Sequence, residues 1–563
     1  MALVATLGVA VASRLPGLGA GYALDDFAHL AMLSGEYPLE RAWWDLFNFV
    51  DGSADEVAAL QAFGSLPWWS DPGLRLAAFR PLASGLTAVD TWVFGHHAFA
   101  AHLHSLLWWL GLLGAYLGVL RRFLPGPAVW VGLALFALDA SHTLPLAWLA
   151  NRNALICGLG VLLAVGFHVG HRESSSGGLR HGSTLFVACA LLAGEQGVSA
   201  ILCMVAYEVV AGQGPWRSRL RALAPGALVT AAYLMAHLGL GYGARQTAGY
   251  LDPFGEVLAF ATAAPGRFCG LLGEVVLGVP AMASAASSWV FGLGVAAGVM
   301  LAVCLAAVPD PWRRHSRWLA AATCLSLLPG LASPPSSRLL VVASLWWSGV
   351  VGLAFYGLWQ RRRDTGFAKL AGRGVVASLV LIHAVAAPVW GYLELRGFCQ
   401  LAAGLESAAE QAPVQEQQPV VVVRTRDIAA MLYSARSRHE AGHSLAPSWW
   451  TLSAAPGPHT LIAHAPNRLE LVIPDGLLAS PTARFFRRSP GPAVGDVVSL
   501  DHGRLQLTPL EAGNNGPTRI AITCRGSCGE LQWMQIVAGS FQAMPTPREG
   551  VAMPLPVPSL LMR

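Results

Sequence analysis

Two adjacent carboxylates, Asp25 and Asp26, follow directly after the first apolar stretch of the chain, in the phrase Asp-Asp-Phe-Ala-His that ends at His29. Ionised side chains at a membrane boundary are unfavourable to desolvate, so an acidic pair at such a place is a candidate functional site. The alternative is that the pair solvates or caps the end of a helix. Both interpretations stay open on the sequence alone.

Other polar side chains stand at the ends of later apolar stretches. If alternate loops share one side of a membrane, these groups meet the acidic pair at a single face, as in a cavity that is open to the outside and walled by helices. The residues in question are Arg80, His102, His142, Arg152 and Glu195. For each there is a structural alternative, namely packed histidines, arginines that anchor helix ends at lipid headgroups, and an ion pair for the glutamate.

The composition indicates a membrane protein. Hydrophobic residues make up 54% of the 563 residues, charged residues only 12%, and the mean hydropathy is +0.50. The net charge of +5 lies in short arginine clusters between apolar runs, which does not favour nucleic-acid binding. Neither a Walker A motif nor a dinucleotide fingerprint is present in the sequence, which argues against an ATP-driven pump.

We predict about eleven transmembrane helices, because a span needs roughly 20 apolar residues. They lie near 2–20, 97–120, 126–142, 151–169, 183–195, 197–213, 222–240, 287–308, 317–331, 338–358 and 373–393. Five basic segments are predicted to be cytoplasmic by the positive-inside rule: 121–122, 171–180, 216–221, 312–317 and 361–363. The apolar run 254–279, interrupted by Pro265-Gly266-Arg267, is predicted to be interfacial or re-entrant.

The fold class that follows is a polytopic α-helical membrane protein with a C-terminal, mostly β soluble domain. We place the transmembrane domain at 1–396, with a long first outer loop at 21–96, a linker at 397–418 and an extracytoplasmic β-rich domain at 419–563. Predicted strands include 469–473, 496–500, 519–523 and 531–537. In this domain Cys524 and Cys528 are expected to form a disulfide or remain free thiols rather than bind zinc.

Four tryptophans of the first outer loop, in two adjacent pairs, are spaced as interfacial anchors would be. They are Trp43, Trp44, Trp68 and Trp69.

The phrase from Phe136 to Arg152 resembles a pattern of the GT-C superfamily of glycosyltransferases, in the branch that contains the tetratricopeptide-linked protein O-mannosyltransferases. In that branch a leucine-rich helix ends in His-Pro-x-His-Thr-Glu and continues to Trp-x-x-Gly-Arg. The acidic pair is similar to the first-loop acidic motif of the superfamily. Three further phrases are similar in the same order: Arg80-Pro81-Leu82 with His102, Glu195, and Ser337-Arg338-Leu339-Leu340. The resemblance covers roughly residues 15–358.

The chain also departs from the branch pattern. The His-Pro dipeptide is replaced by Asp139-Ala140, the Glu of His-Thr-Glu by Leu144, the acidic residue after the Arg by Ala154, and the Lys before Glu195 by Gly194. Tetratricopeptide repeats are absent from the sequence, and the β-rich domain stands in their place.

The resemblance implies a GT-C-like fold and a membrane glycosyltransferase, in which an acceptor hydroxyl attacks a sugar carried on a polyprenyl phosphate or pyrophosphate. Asp25 or Asp26 would take the proton as catalytic base. Arg80, Arg152 and Arg338 would bind the phosphate, because guanidinium matches its oxygens. The supporting residues would be His29, His102, His142 and Glu195.

The resemblance also implies partners and a location. The donor is a polyprenyl-linked sugar, the acceptor is a glycan, lipid or protein, and membrane lipids surround the helices, with no nucleic acid involved. No cofactor is assigned, and a divalent metal is an option without named ligands. The protein is expected in a bacterial inner membrane, with its active site and C-terminal domain extracytoplasmic.

Three alternative functions stay open. A polysaccharide polymerase or ligase would share the many spans and the lipid-linked donor, and a flippase-type transporter would place charges at mid-membrane. A catalytically inactive GT-C-like scaffold is compatible with Leu144 and Ala154.

Overall fold

The structure, a computed structural model, describes residues 2–284, 287–361, 367–415, 417–488 and 490–557. Its helices in chain order are α1 Ala2–Arg14, α2 Asp25–Ser34, α3 Ala54–Phe63, α4 Pro81–Phe94, α5 Ala98–Leu120, α6 Gly126–Leu138, α7 Thr143–Ala147, α8 Asn153–Ser174, α9 Gly177–Ala193, α10 Ser199–Val210, α11 Trp216–Gly239, α12 Val257–Leu277, α13 Ala281–Ser284, α14 Val290–Ala307, α15 Arg313–Ser326, α16 Val341–Gln360, α17 Phe367–Leu381, α18 Ala387–Glu410, α19 Ile428–Glu440 and α20 Pro481–Phe485.

The strands are short and lie mostly in the last quarter of the chain. They are β1 Asn48–Asp51, β2 Arg75–Ala77, β3 Gly243–Arg245, β4 Val420–Val422, β5 Trp449–Thr451, β6 His459–Ala465, β7 Arg468–Val472, β8 Val498–Leu500, β9 Leu505–Gly513, β10 Gly516–Cys524, β11 Gln532–Val537, β12 Ser540–Ala543 and β13 Ala552–Leu555.

The chain divides into two compact units. The helical unit contains Met1–Gly21, Ala78–Gly241 and Asp252–Cys399. The sheet unit contains Tyr22–Ala77, Tyr242–Leu251 and Gln400–Arg563. The predicted first outer loop is therefore shared between them: its larger part, residues 22–77, belongs with the C-terminal strands.

Seven helices of the described chain are long and apolar enough to cross a membrane, and up to eight if one bent pair counts as a span. The seven are Ala98–Leu120, Leu149–Ser174, Trp216–Gly239, Val257–Leu277, Val290–Ala307, Ser337–Gln360 and Gly372–Glu410. The bent pair joins Gly126–Leu138 to Ala140–Ala147 at 49°. The predicted number of eleven is too high by this criterion.

The difference comes from four shorter helices. α1, α9, α10 and α15 contain 13, 17, 12 and 14 residues, whereas a span needs about 20. In the sequence, flanking apolar 3-10 turns such as 15–19 and 328–332 extend these runs without extending the helix.

The run predicted to be interfacial forms one continuous helix, α12, with Pro265 inside it. By length and composition it qualifies as a span. At its midpoint, the Arg267 guanidinium donates to the carbonyl oxygens of Leu331 and Ser333. The interfacial placement of this helix stays a prediction, as does the sidedness of the loops. Arg362 and Arg363 of the basic segment 361–363 lie outside the described residues.

The core of the helical unit is built around α16, which is 83% buried over its candidate span. Close helix contacts depend on glycine there: a Cβ on Gly352 would lie 2.4 Å from the carbonyl oxygen of Ala128 on α6. Small residues at helix contacts let backbones approach closely, which is how membrane helices gain packing energy.

The sheet unit contains three sheets. β1, β2 and β3 form a three-stranded antiparallel sheet from the first loop and the segment 243–245. A six-stranded antiparallel sheet has the order β13-β6-β7-β10-β9-β8. A four-stranded sheet has the order β12-β11-β4-β5, in which β11, β4 and β5 are parallel. The predicted β-rich C-terminal region is confirmed.

Tryptophans join the first loop to the C-terminal strands within the sheet unit. Trp68 donates to the carbonyl oxygen of Leu452, and Trp450 donates to that of Ala62. Trp69 donates to the carbonyl oxygen of Ala483. The prediction that Trp68 and Trp69 are interfacial anchors is wrong, since both are buried in the core, whereas Trp43 and Trp44 are exposed.

Cys524 and Cys528 form a disulfide across the end of β10. The sequence left open a disulfide or two free thiols at these positions, and the structure contains the disulfide.

Candidate active site

The two acids begin α2 in the sheet unit, and they have different surroundings. Asp26 is buried, and its Oδ2 accepts a hydrogen bond of 3.0 Å from the backbone N–H of Ala23. Between them and the preceding chain, Leu24 has a left-handed φ of 52°. The Asp26 side chain thus stabilises the strained turn that precedes α2. This fits the alternative that the acidic pair has a structural role at the helix end.

Asp25 instead accepts a hydrogen bond from a side chain. The Tyr433 hydroxyl on α19 donates to Asp25 Oδ1 over 2.5 Å. Burial, followed by the nearby charge of Asp25, holds the pKa of the Tyr433 phenol well above its ordinary value of 10.0. The phenol therefore stays protonated at neutral pH and acts as a donor.

His29 is packed rather than presented to solvent. It is buried, its ring lies edge-on to Phe47 at 4.7 Å, and it stacks on Phe49 at 5.7 Å. These contacts fit the structural alternative for this histidine.

In the helical unit, Arg80 and Glu195 form an ion pair. Pro81 occupies the first turn of α4 and starts that helix directly after Arg80. Glu195 lies in the 3-10 turn between α9 and α10. Arg80 Nη2 lies 2.8 Å and Nε 3.0 Å from Glu195 Oε2, and the two side chains are 26% and 34% exposed. A guanidinium with this exposure can still reach a second anion.

Two amide side chains lie near the 3-10 turn that holds Glu195, and that of Asn153 is the one beside the ion pair. A Cβ on Gly194 would be 3.0 Å from Asn153 Nδ2 and 3.8 Å from Arg80 Nε. A Cβ on Gly330 would be 3.1 Å from Gln196 Nε2. Within the described chain, neither Asn153 Oδ1 nor Gln196 Oε1 has a hydrogen-bond partner. The starts of α4 and α8 and the turn 195–198 thus bring together a guanidinium, a carboxylate and one amide group.

Arg152 has a different environment. It is 2% exposed, and its Nη1 forms a short ion pair with Asp90 Oδ2 on α4. Asp90 Oδ1 also lies 2.6 Å from His104 Nδ1, and Trp108 donates to His104 Nε2 over 2.9 Å. Arg152 is therefore sealed by a protein carboxylate, and its contact with a phosphate stays a prediction.

Arg338 is half-buried and stacks over the Trp148 ring, 5.1 Å from its centroid. Trp148 precedes the turn that leads into α8, so Arg338 lies at the same end of that helix as Arg80, Asn153 and Glu195. Arginine keeps its hydrogen-bond donors available when it stacks on an aromatic face.

The two histidines predicted as site residues in the helical unit, His102 and His142, are both packed against protein groups. The ring nitrogens of His102 lie 3.1 Å and 2.9 Å from the carbonyl oxygens of Leu146 and Gly21. His142 is fully buried and edge-on to Phe136 at 4.6 Å. It follows Asp139, whose side chain caps the turn by accepting from the N–H of Ser141.

Of the predicted site residues, the structure brings Arg80, Glu195 and Arg338 to one end of the helical unit. Asp25, Asp26 and His29 belong to the sheet unit, and their convergence with the arginines stays a prediction. Sequence reasoning missed Asp90, Tyr433, Asn153 and Gln196. Asp90 had a usable signal, since a lone carboxylate in an apolar helix needs a cationic partner.

No group of three or more His, Cys, Asp or Glu in the described part of the chain is arranged to hold a metal ion.

No family model matches the chain, and no curated protein matches it. Among solved structures, the chain is similar to ArnT from Cupriavidus metallidurans bound to undecaprenyl phosphate, at 14% identity and a TM-score of 0.41, covering 81% of this chain and 92% of that one. It is also similar to the oligosaccharyltransferase AglB from Archaeoglobus fulgidus in complex with an inhibitory peptide and a dolichol-phosphate, at 11% identity and a TM-score of 0.40. That alignment covers 79% of this chain and 64% of AglB. The finer resemblance to the tetratricopeptide-linked branch stays a prediction.

Proposed function

We propose that this protein is a membrane glycosyltransferase that moves a sugar from a polyprenyl phosphate or pyrophosphate to an acceptor hydroxyl on the extracytoplasmic face. The observation that carries the proposal is the partly exposed Arg80–Glu195 pair, with the Asn153 amide beside it. A lipid-borne sugar phosphate offers an anion that the guanidinium would bind.

Arg80 is the phosphate ligand in this proposal, and Arg338 is a second one. Both are at the end of α8 where Glu195 lies, and neither is sealed as Arg152 is. Glu195 orients Arg80, since Nε and Nη2 of the guanidinium donate to the same carboxylate oxygen. A phosphate that leaves with negative charge is stabilised by positioned donors of this kind.

Asp25 is the catalytic base in this proposal. The acceptor hydroxyl gives its proton to the Asp25 carboxylate, its oxygen forms the new bond to the anomeric carbon, and the bond from that carbon to the phosphate oxygen breaks. The electron pair leaves with the polyprenyl phosphate. Asp26 is less suited to this step, because it is buried and engaged in the turn at Ala23.

The test is sugar transfer by the purified full-length protein in nanodiscs, with tritiated hexose on undecaprenyl phosphate as donor and membrane extract as acceptor. We expect Asp25→Asn to lower transfer by about 10²–10⁴-fold, the range for loss of a general base. Asp501→Asn, in an exposed pair with Arg504, is the matched control. Unchanged transfer in Asp25→Asn would overturn the assignment of the base.

The donor site is tested separately by binding of undecaprenyl phosphate alone, measured by native mass spectrometry. We expect Arg80→Ala to weaken binding at least tenfold, and Arg504→Ala to leave it unchanged. If neither wild type nor variants bind this lipid and no polyprenyl lipid co-purifies, the glycosyltransferase proposal fails, and the inactive-scaffold alternative gains support.

A further inference from the structure

We propose that Tyr433 of the C-terminal region is a positioning residue for Asp25, so that the β-rich region takes part in the reaction by holding the base. This inference rests on the proposed function, in which Asp25 accepts the proton. It begins from the 2.5 Å hydrogen bond between the Tyr433 hydroxyl and Asp25 Oδ1, which joins residues 408 positions apart.

The contact between α2 and α19 is broader than this one bond. Beyond the end of α2, Glu36 Oε2 pairs with Arg436 Nη1 at 3.0 Å, and Glu36 Oε1 lies 3.1 Å from His439 Nε2. Tyr433, Arg436 and His439 follow one another at helical spacing, so one side of α19 holds both ends of α2. The carboxylate of Asp25 is therefore fixed in place together with its helix.

An apolar contact supports the same arrangement. The Phe27 ring lies 6.4 Å from that of Tyr433, and Phe27 is buried in a cluster with Leu405, Ala430 and Trp449. Replacing the tyrosine by phenylalanine would keep this contact and remove only the hydroxyl. The substitution thus separates the hydrogen bond from the packing.

Several titratable groups surround Asp25 and contribute to any pH response. They are Asp26 on the same helix, Tyr433 and Arg436 on α19, and Tyr37. The charges of Arg41 and Glu56 act in turn on Tyr37. A donor to the ionised form of a carboxylate favours that form. The Tyr433 hydroxyl is a fixed donor, because burial raises the pKa of its phenol.

The experiment compares Tyr433→Phe with Tyr250→Phe, a tyrosine of the same unit that packs on Phe485. We expect Tyr433→Phe to lower kcat about tenfold with little change in the donor KM. The acidic midpoint of kcat/KM should rise by about one pH unit, because the carboxylate loses a donor to its charged form. Tyr250→Phe should change neither quantity.

A second variant keeps the test valid if Tyr433→Phe folds poorly. Trifluorotyrosine at position 433 has a more acidic hydroxyl, donates more strongly, and should move the acidic midpoint downward. The same amino acid at position 250 is the control. If Tyr433 had only a structural role, the two variants would lower the yield or the melting temperature. They would not move the acidic midpoint of kcat/KM in opposite directions.

The outcomes separate this inference from the proposed function. If Asp25→Asn is inactive while both position-433 variants keep the wild-type pH profile, the positioning role of Tyr433 is wrong and the function stands. If Asp25→Asn is fully active, the proposed base is wrong, whatever Tyr433 does.

Discussion

Two arginine–carboxylate pairs at the same end of α8 have opposite environments. Arg80 and Glu195 are 26% and 34% exposed, whereas Arg152 and Asp90 are 2% and 6% exposed. By residue type the two pairs are alike. The difference teaches that a guanidinium near a helix end is a candidate for anion binding only if its own carboxylate leaves part of it accessible.

The sealed pair belongs to a longer chain of contacts. Asp90 also contacts His104, which in turn accepts from Trp108. Removing one partner of such a buried ion pair leaves the other charge buried without a counter-charge, which strongly destabilises the folded protein. We therefore expect Arg152 to contribute to the stability of the helical unit, and Arg80 is the candidate for anion binding.

The largest expected effect is on stability. Asp90→Asn keeps the shape of the side chain and leaves Arg152 buried without its counter-charge, which should lower the free energy of unfolding by about 3–5 kcal/mol. Thermal melting in detergent measures this loss. The double variant Asp90→Leu with Arg152→Met should recover most of the stability, and a failure to recover would contradict a purely structural role for the pair.

The next effect separates stability from activity. Arg80→Ala should lower sugar transfer by about 10²-fold, in line with the loss of one positioned donor to a developing anion. Its free energy of unfolding should change by less than about 1 kcal/mol, because partly exposed ion pairs contribute little. A large drop in melting temperature would show that Arg80, like Arg152, stabilises the fold.

A smaller effect is expected at the partner of Arg80. Glu195→Gln keeps one acceptor for the guanidinium but removes the charge, so we expect a few-fold rise in the donor KM with kcat nearly unchanged. Steady-state kinetics of the purified variant measure both. The comparison is with Arg80→Ala. An equal loss of sugar transfer in the two variants would show that Glu195 does more than orient the arginine.

The smallest effect is the response to salt. Raising the ionic strength from about 0.1 M to 1 M shortens the screening length from about 10 Å to 3 Å. Double-mutant cycles should then show a coupling energy for Arg80 and Glu195 that falls by a few tenths of a kcal/mol. The coupling between Arg152 and Asp90 should stay constant, and equal salt responses would remove the distinction between the two pairs.

The sequence predicted the helical membrane class, the β-rich C-terminal region and strands such as β7, β10 and β11, because these follow from local apolar patterns. It did not predict the sheet β1-β2-β3. Those strands have three or four residues each, and β3 joins from a distant segment. Pairing between such short, separated segments leaves no periodic signal.

Side-chain environments were harder to predict than elements. Trp43 and Trp68 belong to similar Trp-Trp pairs, yet one is exposed and the other buried, because the partners of Trp68 lie hundreds of residues later. Arg80 and Arg152 could not be separated for the same reason. Their carboxylates are 115 and 62 positions away, and only the folded chain shows which pair is open.

The sheet unit is assembled from the beginning, the middle and the end of the chain, and this sets an order of biosynthesis. Trp68 finds its acceptor at Leu452, 384 positions later. At roughly 5–20 residues per second, the early segment waits on the order of 20–80 seconds for the strands that cover it. A nascent chain that ends before those strands would leave the tryptophans without their acceptors, and proteases would encounter an incompletely folded protein.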